Sequence, residues 1–383
     1  MSYSLVKGFE EKGLPFNTYF CPGRINLIGE HIDYNGGFVL PAAISLGTTL
    51  YISKRADSLI NIQSQNFDGA FTINPAEEQT YTPGNTWANY VIGCVDFLRQ
   101  KGIQLGGYNL LFDSNLPIGT GLSSSASVEV LTLFALLSEV GISTFTKEEI
   151  AVFAQQVENN FVGMNCGIMD QFAVAMGKAG HAIKLNCETL EYEYIPVDFG
   201  NYTLVIMSTN KPRSLIHSAY NQRKAECEEA LAIINKEHNY ANLCAVPLHV
   251  AQAELSGILK QRAAHCITEQ NRVLMACNAM QTNNLSIFAL QLMGSHQSLR
   301  TDYEVTGIEL DSLYNAAMQT DGCLAARMMG GGFGGCAIAL VDAPKMELFK
   351  TTVAAKYNAA TGLQASFYDC QLSNGVGKLA NQI

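Results

Sequence analysis

The stretch Met328–Val341 reads MMGGGFGGCAIALV, and its Gly330, Gly332 and Gly335 satisfy the GxGxxG spacing of a dinucleotide-binding turn. That fingerprint follows a strand and opens a helix, because the pyrophosphate sits on the helix N-terminus. Here the order reads reversed. The preceding LAARMM (Leu324–Met329) is built of helix formers, and CAIALVDA (Cys336–Ala343) reads as a buried strand. A Rossmann fold is excluded on that order, and the direct role expected of these glycines is a bend that lets two segments pack closely. A P-loop is excluded too: no GxxxxGK[ST] occurs, and Gly177-Lys178 is followed by Ala179.

Upstream lies a second glycine-rich stretch, LPIGTGLSSSASVEV (Leu116–Val130), running into a helix expected from Val128 to Val140 and ended by Gly141. Free amides at a helix N-terminus, with the macrodipole behind them, form an anion site, so phosphate is one reading. A flexible turn with serine as an ordinary N-cap is the other. Further upstream, PGRINLIGEHIDYNGG (Pro22–Gly37) sets Arg24, Glu30, His31 and Asp33 among turn residues. Carboxylates there could grip adjacent hydroxyls, hold a metal, or face solvent; Glu-His-x-Asp without further ligand spacing speaks weakly for metal.

Charged residues are only 15% of the 383-residue chain and hydrophobic ones 48%, the balance of a well-buried globular protein. A chain of this length exceeds one ordinary core, so two domains are expected. Net charge is −10 and the pI about 5.2; with no basic run to track a phosphate backbone, no nucleic-acid partner is expected. The eleven cysteines include no C-x-x-C pair, which reads as free thiols in a reducing cytosol rather than zinc or disulfides. MSYSLVKGFEEKG lacks a signal-peptide core, and no apolar run nears the ~18 residues of a membrane span; the expectation is a cytoplasmic protein without membrane contact, and a monomer.

Strand-like text (FVLPAAISLGTTLYIS, GYNLLFDS) mixes with helices in the first half. TKEE is a capping box with Thr146 as cap and Glu149 reaching back, followed by a face of Ile150, Phe153, Ala154, Val157 and Phe161. YTLVIMSTN reads as a strand, and a long helix is expected from about Ser214 to Glu237. Strands and helices do not alternate regularly, so the class is α+β, with a boundary near Glu193–Gly200.

In this order, PGRINLIGEHIDYNGGFVLPAAI, LPIGTGLSSSAS, CGIMDQF and MGGGFGGC resemble the motifs of the GHMP small-molecule kinases, the first being similar to the signature of the galactokinase branch. The resemblance runs from about Pro22 to Phe367. It implies an N-terminal ribosomal-protein S5-like domain (1–195) and a C-terminal ferredoxin-like domain (196–366). The active site would lie between them, and the tail 367–383 would return to the first domain. It implies transfer of the ATP γ-phosphoryl group to the anomeric hydroxyl of α-D-galactose, with Mg2+ as cofactor.

The resemblance also assigns roles. Asp170 would be the base, or orient the hydroxyl; Arg24 beside it would meet charge developing on the phosphoryl group. On residues alone, Asp170 reads equally as a helix N-cap before QFAVAMG. Glu30, His31, Ile32, Asp33, Gly167 and Tyr220 would hold the sugar. Gly119, Thr120, Gly121, Leu122, Ser123, Ser124 and Ser125 would wrap the phosphates, Ser125 and Glu158 would hold Mg2+, and Trp87, near Tyr90, and Ser64 would face the nucleotide. Packing alone is the rival for Tyr220, Trp87 and Ser64, and a surface carboxylate for Glu158. Thr120 stands where many relatives carry a smaller residue. Lys211 and Arg213 do not register with the arginine some galactokinases carry before the tyrosine. Rival functions are a GHMP kinase for another substrate, such as N-acetylgalactosamine, and a non-catalytic galactose sensor; the intact serine loop, Glu158 and Asp170 favour an enzyme.

Overall fold

The computed structural model describes residues 15–84, 87–117, 119–211 and 216–380. The leader MSYSLVKGFEEKG, Ile118, Arg213 and the start expected for the long helix at Ser214 lie outside them.

A six-stranded sheet in the order β13-β1-β3-β6-β4-β5 forms the first half: β1 (Phe16–Asn26), β3 (Pro41–Lys54), β4 (Ile60–Ser64), β5 (Ala70–Ile73), β6 (Tyr108–Ser114) and β13 (Gly377–Lys378). Only β4 and β6 pair in parallel. Helices α1 (Ala88–Gln100), α2 (Ser124–Glu139), α3 (Lys147–Val157) and α4 (Met169–Met176) belong to the same half, with α2 and α4 packed on β1 and β3. A small sheet, β2 (Phe38–Val39), β7 (His181–Asn186) and β8 (Tyr192–Pro196), flanks it. The capping box forms as read: the Thr146 hydroxyl accepts from the Glu149 amide, and Glu149 accepts from the Thr146 amide at 2.8 Å.

The second half is built on β9 (Tyr202–Ser208), β10 (Cys323–Met329), β11 (Cys336–Asp342) and β12 (Ser366–Asp369) in the antiparallel order β10-β11-β9-β12. Its helices are α5 (Ile216–Ile234), α6 (Leu248–Glu254), α7 (Gly257–Gln281), α8 (Leu285–Thr301), α9 (Gly307–Met318) and α10 (Met346–Thr361). Counting β9 as first strand, that order is 2-3-1-4, the split-βαβ arrangement of ferredoxin-like folds. After β12 the chain crosses back: Ser373 N donates to Ala43 O and Val376 N to Val174 O, and β13 pairs with β1. Among the described residues no helix is long and apolar enough to cross a membrane.

Two expectations need correction. LAARMM is not helical: it lies within β10, which pairs with β11 from Met329 opposite Cys336, so the third glycine loop is a hairpin. Alanine and methionine favour helix in isolation, but Ala325–Met329 are all buried beneath α8 and α9, and packing overrides propensity. The Rossmann reading still fails, now because a strand stands on each side. Helix α2 also begins at Ser124, one turn before Val128, which draws the serine run into its first turn.

Candidate active site

A bulge in β1 between Pro22 and Arg24 breaks the sheet register, as bulges do where a side chain must be re-aimed. Arg24 is thereby turned toward α4. Its Nε donates to Asp170 Oδ1 (3.0 Å) and its Nη2 to Asp170 Oδ2 (3.1 Å), a two-point grip, while its Nη1 donates to Gly121 O. Arg24 is buried, whereas Asp170 keeps about a third of its side-chain surface open to the adjoining cavity. Asp170 is not the N-cap it could have been: it lies inside the first turn of α4, whose cap position is Ile168.

The cavity, about 260 Å3, is walled by Arg24, Glu30, His31, Asp33 and Gly167 on one side and by Gly119, Gly121, Ser123–Ser125 and Glu158 on another. Asp170, Tyr220, Gly330 and Gly331 also line it, with Met164, Met169 and Cys166 and with Asn165 and Asn221, two polar neighbours the motifs did not include. Each glycine-rich loop contains one non-glycine residue in the left-handed region: His31 (φ 62°), Ser123 (φ 62°) and Phe333 (φ 55°). Such strain gathers at functional sites, where surrounding contacts hold it.

Glu30 is buried; Oε1 accepts from Gly330 N (2.8 Å) and Oε2 from Asn26 Nδ2 (3.0 Å). Burial raises its pKa, and the Arg327 charge, followed by Arg24, opposes the rise. Burial also holds His31 neutral, its pKa pushed down to about 3. Its Nδ1 is 2.8 Å from Tyr34 Oη, while Nε2 makes no hydrogen bond of good geometry among the described residues. Asp33 is raised to about 7, first by burial and then by the Asp170 charge. Gly167 has no room for a side chain, since a Cβ there would strike the Asp33 carboxylate.

Across the cavity, Ser123 precedes α2 but does not cap it; its Oγ donates to Asp170 Oδ2 (2.5 Å). The ordinary-cap reading of the serines therefore fails, and the amides opening α2 are left without a side-chain acceptor from that cap. Glu158 opens a π-helical turn, Glu158–Val162, that continues α3. It is buried rather than on the surface, accepts from Gln171 Nε2 (2.5 Å), and is raised to about 7 by burial, with a Ser125 hydrogen bond opposing.

Some expected residues stand behind the wall or away from it. Ile32 and Leu122 are buried; Leu122 contributes its carbonyl, which accepts from Arg24 N (3.2 Å). The Thr120 hydroxyl is tied to Pro117 O. Ser64 and Trp87 are not on the cavity wall: Trp87 stacks on the exposed Phe67 and abuts Phe112, and Ser64 accepts from Asn66 N. Lys211 pairs with Glu309. The partner that sequence reading missed is Arg327, invisible because it sits in text that looked helical.

The GHMP kinases N terminal domain profile matches residues 89–178, the GHMP kinases C terminal profile residues 278–359, and the galactokinase galactose-binding signature residues 7–54. Galactokinase of Clostridium tetani is 46% identical over 363 residues, covering 94% of this chain and 92% of its own. That of Exiguobacterium sibiricum is 43% identical, covering 96% and 95%. The solved Lactococcus lactis galactokinase complexed with galactose superposes with a TM-score of 0.93 at 40% identity, covering 98% of this chain and 99% of that one. Methanococcus jannaschii mevalonate kinase, at 19% identity and a TM-score of 0.66, shares the fold. With the cavity geometry already set by its own residues, and with relatives this similar over nearly its whole length, this chain belongs to the galactokinases of the GHMP kinase family.

Proposed function

We propose that this chain transfers the γ-phosphoryl group of MgATP to the C1 hydroxyl of α-D-galactose, giving galactose 1-phosphate and ADP. The observation that carries the reading is Asp170: a carboxylate gripped at two points by Arg24, part-open to the cavity, between a carboxylate-lined loop and a helix N-terminus. Asp170 accepts or orients the anomeric proton. Arg24 fixes the carboxylate and meets charge on the transferring group, a reaction that needs positioning and electrostatics more than covalent chemistry. Glu30, His31 and Asp33 grip the remaining hydroxyls, with Ile32 and Gly167 supplying backbone and Tyr220 one wall. A site that hydrogen-bonds a given hydroxyl discriminates by ~10⁴ against analogues lacking it.

Gly119–Ser125 wrap the phosphates. The Ser125 hydroxyl and the Glu158 carboxylate are hard oxygen donors in hydrogen-bond contact, which suits Mg2+. When bound, Mg2+ neutralises phosphate charge during transfer. The Trp87–Phe67 pair and Ser64 are assigned to the nucleotide base side. Residues 1–195 with the tail 367–383 are assigned to one domain and 196–366 to the other.

Galactose-dependent ADP release tests the reading, with magnesium present and then chelated. Wild type should turn over only with magnesium, and faster on galactose than on glucose or N-acetylgalactosamine. Asp170→Asn should lose at least ~10³-fold in kcat with an unchanged circular dichroism spectrum. A near-wild-type rate in that variant removes Asp170 from its role. Preference for N-acetylgalactosamine makes the chain a kinase of that sugar, and no turnover on any sugar makes it a sensor.

A further inference from the structure

The third glycine loop is the one motif that the reaction leaves without a role, and Arg327 beside it is the largest fully buried charge without a full set of partners. Arg327 lies in β10 of the second domain, with no exposed surface. Its Nη1 crosses the domain junction and donates to Asn26 O and Leu27 O, both at 2.9 Å. Its Nη2 is 3.4 Å from Glu30 Oε1, and among the described residues neither Nε nor Nη2 has a hydrogen-bond partner. Three residues on, at the start of the hairpin, Gly330 N donates to the same Glu30 oxygen at 2.8 Å.

We propose that Arg327 and the Gly330 amide form a clamp, built by the second domain, that fixes the Glu30 carboxylate of the first domain as an acceptor for the sugar. Arg327 is a positioning residue: it acts through Glu30 and does not line the cavity. The chemistry follows from valence. An ionised carboxylate offers about four lone-pair sites. Gly330 N and Asn26 Nδ2 occupy one on each oxygen, which leaves acceptor capacity on a carboxylate that lines the cavity. Burial favours the protonated acid, which would turn an acceptor into a donor, and Arg327 is the largest opposing charge. The guanidinium near the end of β10 and the amide of the first turn residue thus reach one carboxylate.

This inference rests on the reading of Glu30 as a sugar ligand, and a double-mutant cycle separates the two. Galactose KM, ATP KM, kcat and the thermal midpoint are measured for wild type, Glu30→Gln, Arg327→Lys, Arg327→Gln and each double variant. Arg327→Gln removes the charge while its amide can keep a bond to Asn26 or Leu27. Expected is a ~10-fold or larger rise in galactose KM for Glu30→Gln and for either Arg327 variant, with ATP KM within twofold. In the Glu30→Gln background the Arg327 substitutions should add less than twofold. An unchanged galactose KM in Glu30→Gln removes the sugar reading itself. A full, multiplicative Arg327 effect on top of Glu30→Gln, or an equal rise in both KM values, overturns the clamp. Loss of the fold in both Arg327 variants overturns it too, because Arg327 would then hold the structure rather than Glu30.

Discussion

The Glu30–Asp33 loop and the Gly119–Ser125 loop face one cavity, yet their polar groups are used differently. Around the first, the protein supplies the partners. Gly29 N donates to Glu269 Oε1 (3.0 Å), Asn35 Nδ2 to His31 O (2.8 Å), and His265 Nε2 lies 3.1 Å from Glu30 O. Two of these partners, Glu269 and His265, come from α7 in the second half of the chain, so the loop is fixed from outside as well as from within before any ligand arrives. The second loop is tied mainly through its carbonyls: Gly121 O and Leu122 O both accept from Arg24. Its N–H groups at the start of α2 point outward in the way helix ends receive anions, and Gly119 and Ser124 are exposed. The first loop is preorganised, whereas the second keeps donors for a ligand; on the proposed function these are the sugar side and the phosphate side. Substitutions in the first loop should therefore move galactose KM, and those in the second ATP KM.

Arg24 tests the division most severely, because it is bonded to both the second loop and Asp170. Arg24→Leu removes the guanidinium and leaves the Asp170 carboxylate without its two-point partner. The expected loss in kcat is ~10³-fold, with neither KM changed in preference to the other. A shift confined to one KM with kcat intact would place Arg24 on one side only.

Asp33 sharpens the contrast through pH. Its pKa near 7 means that the free enzyme loses this acceptor as pH falls through 7. kcat/KM for galactose should drop up to ~10-fold per pH unit below that point, while the ATP KM stays flat. Stability has the opposite sign. The unfolded-state pKa is ~3.9, so the ionised side chain destabilises the fold above about pH 7 and costs nothing below about pH 4. The upper bound is ~4 kcal/mol, which partial exposure reduces. Asp33→Asn should raise the thermal midpoint at pH 8 and leave it unchanged at pH 4, and it should weaken galactose at pH 8 but little at pH 4, where wild type has itself lost the ionised acceptor. A lower midpoint at pH 8 would contradict the buried-carboxylate account.

The two loops also differ in how far the sequence disclosed them. Glu30, His31 and Asp33 could be picked out because charge is scarce in this chain and they cluster between turns. The serine loop announces a helix N-terminus, but the helix starts one turn before the expected Val128, since SSS has weak helix propensity and the left-handed φ at Ser123 has no sequence mark. Residues that act by backbone, such as Leu122, leave no side-chain signal at all. Arg327 was hidden because Ala and Met spell helix, and only the packing of β10 against α8 and α9 makes the segment a strand. The ferredoxin-like strand order depends on pairings between distant segments, which periodicity does not contain. Local chemistry was legible, and cross-domain contact was not.

Ser123 offers a smaller probe of the phosphate side. Ser123→Ala is the cleaner change: it removes only the hydroxyl that donates to Asp170 and leaves the left-handed φ as it is, whereas glycine would also free the backbone. A hydrogen bond to a charged group contributes ~1.5–3 kcal/mol, so kcat should fall by a factor of ~10 to ~150. Galactose KM should not move. If it does, the two loops are coupled through Asp170 more tightly than their separate bonding suggests.

The smallest expected effect tests whether the contrast is local. Thr146 caps α3, and that helix runs on into the π turn whose first residue is Glu158. Thr146→Ala removes the hydroxyl that accepts from Glu149 N, costing ~1 kcal/mol of stability. In a chain of 383 residues that lowers the thermal midpoint by no more than a few degrees. Fraying should stay within the first turn, because Ile150, Ala154 and Val157 anchor the rest of the helix in the core. Glu158 is also held independently by Gln171. The magnesium concentration at half-maximal rate should therefore equal that of wild type, measured by titration at saturating ATP and galactose. A rise in that concentration together with the lower midpoint would mean that Glu158 is placed by the whole helix rather than by its own turn, and that the phosphate side is less independent of the scaffold than its free amides suggest.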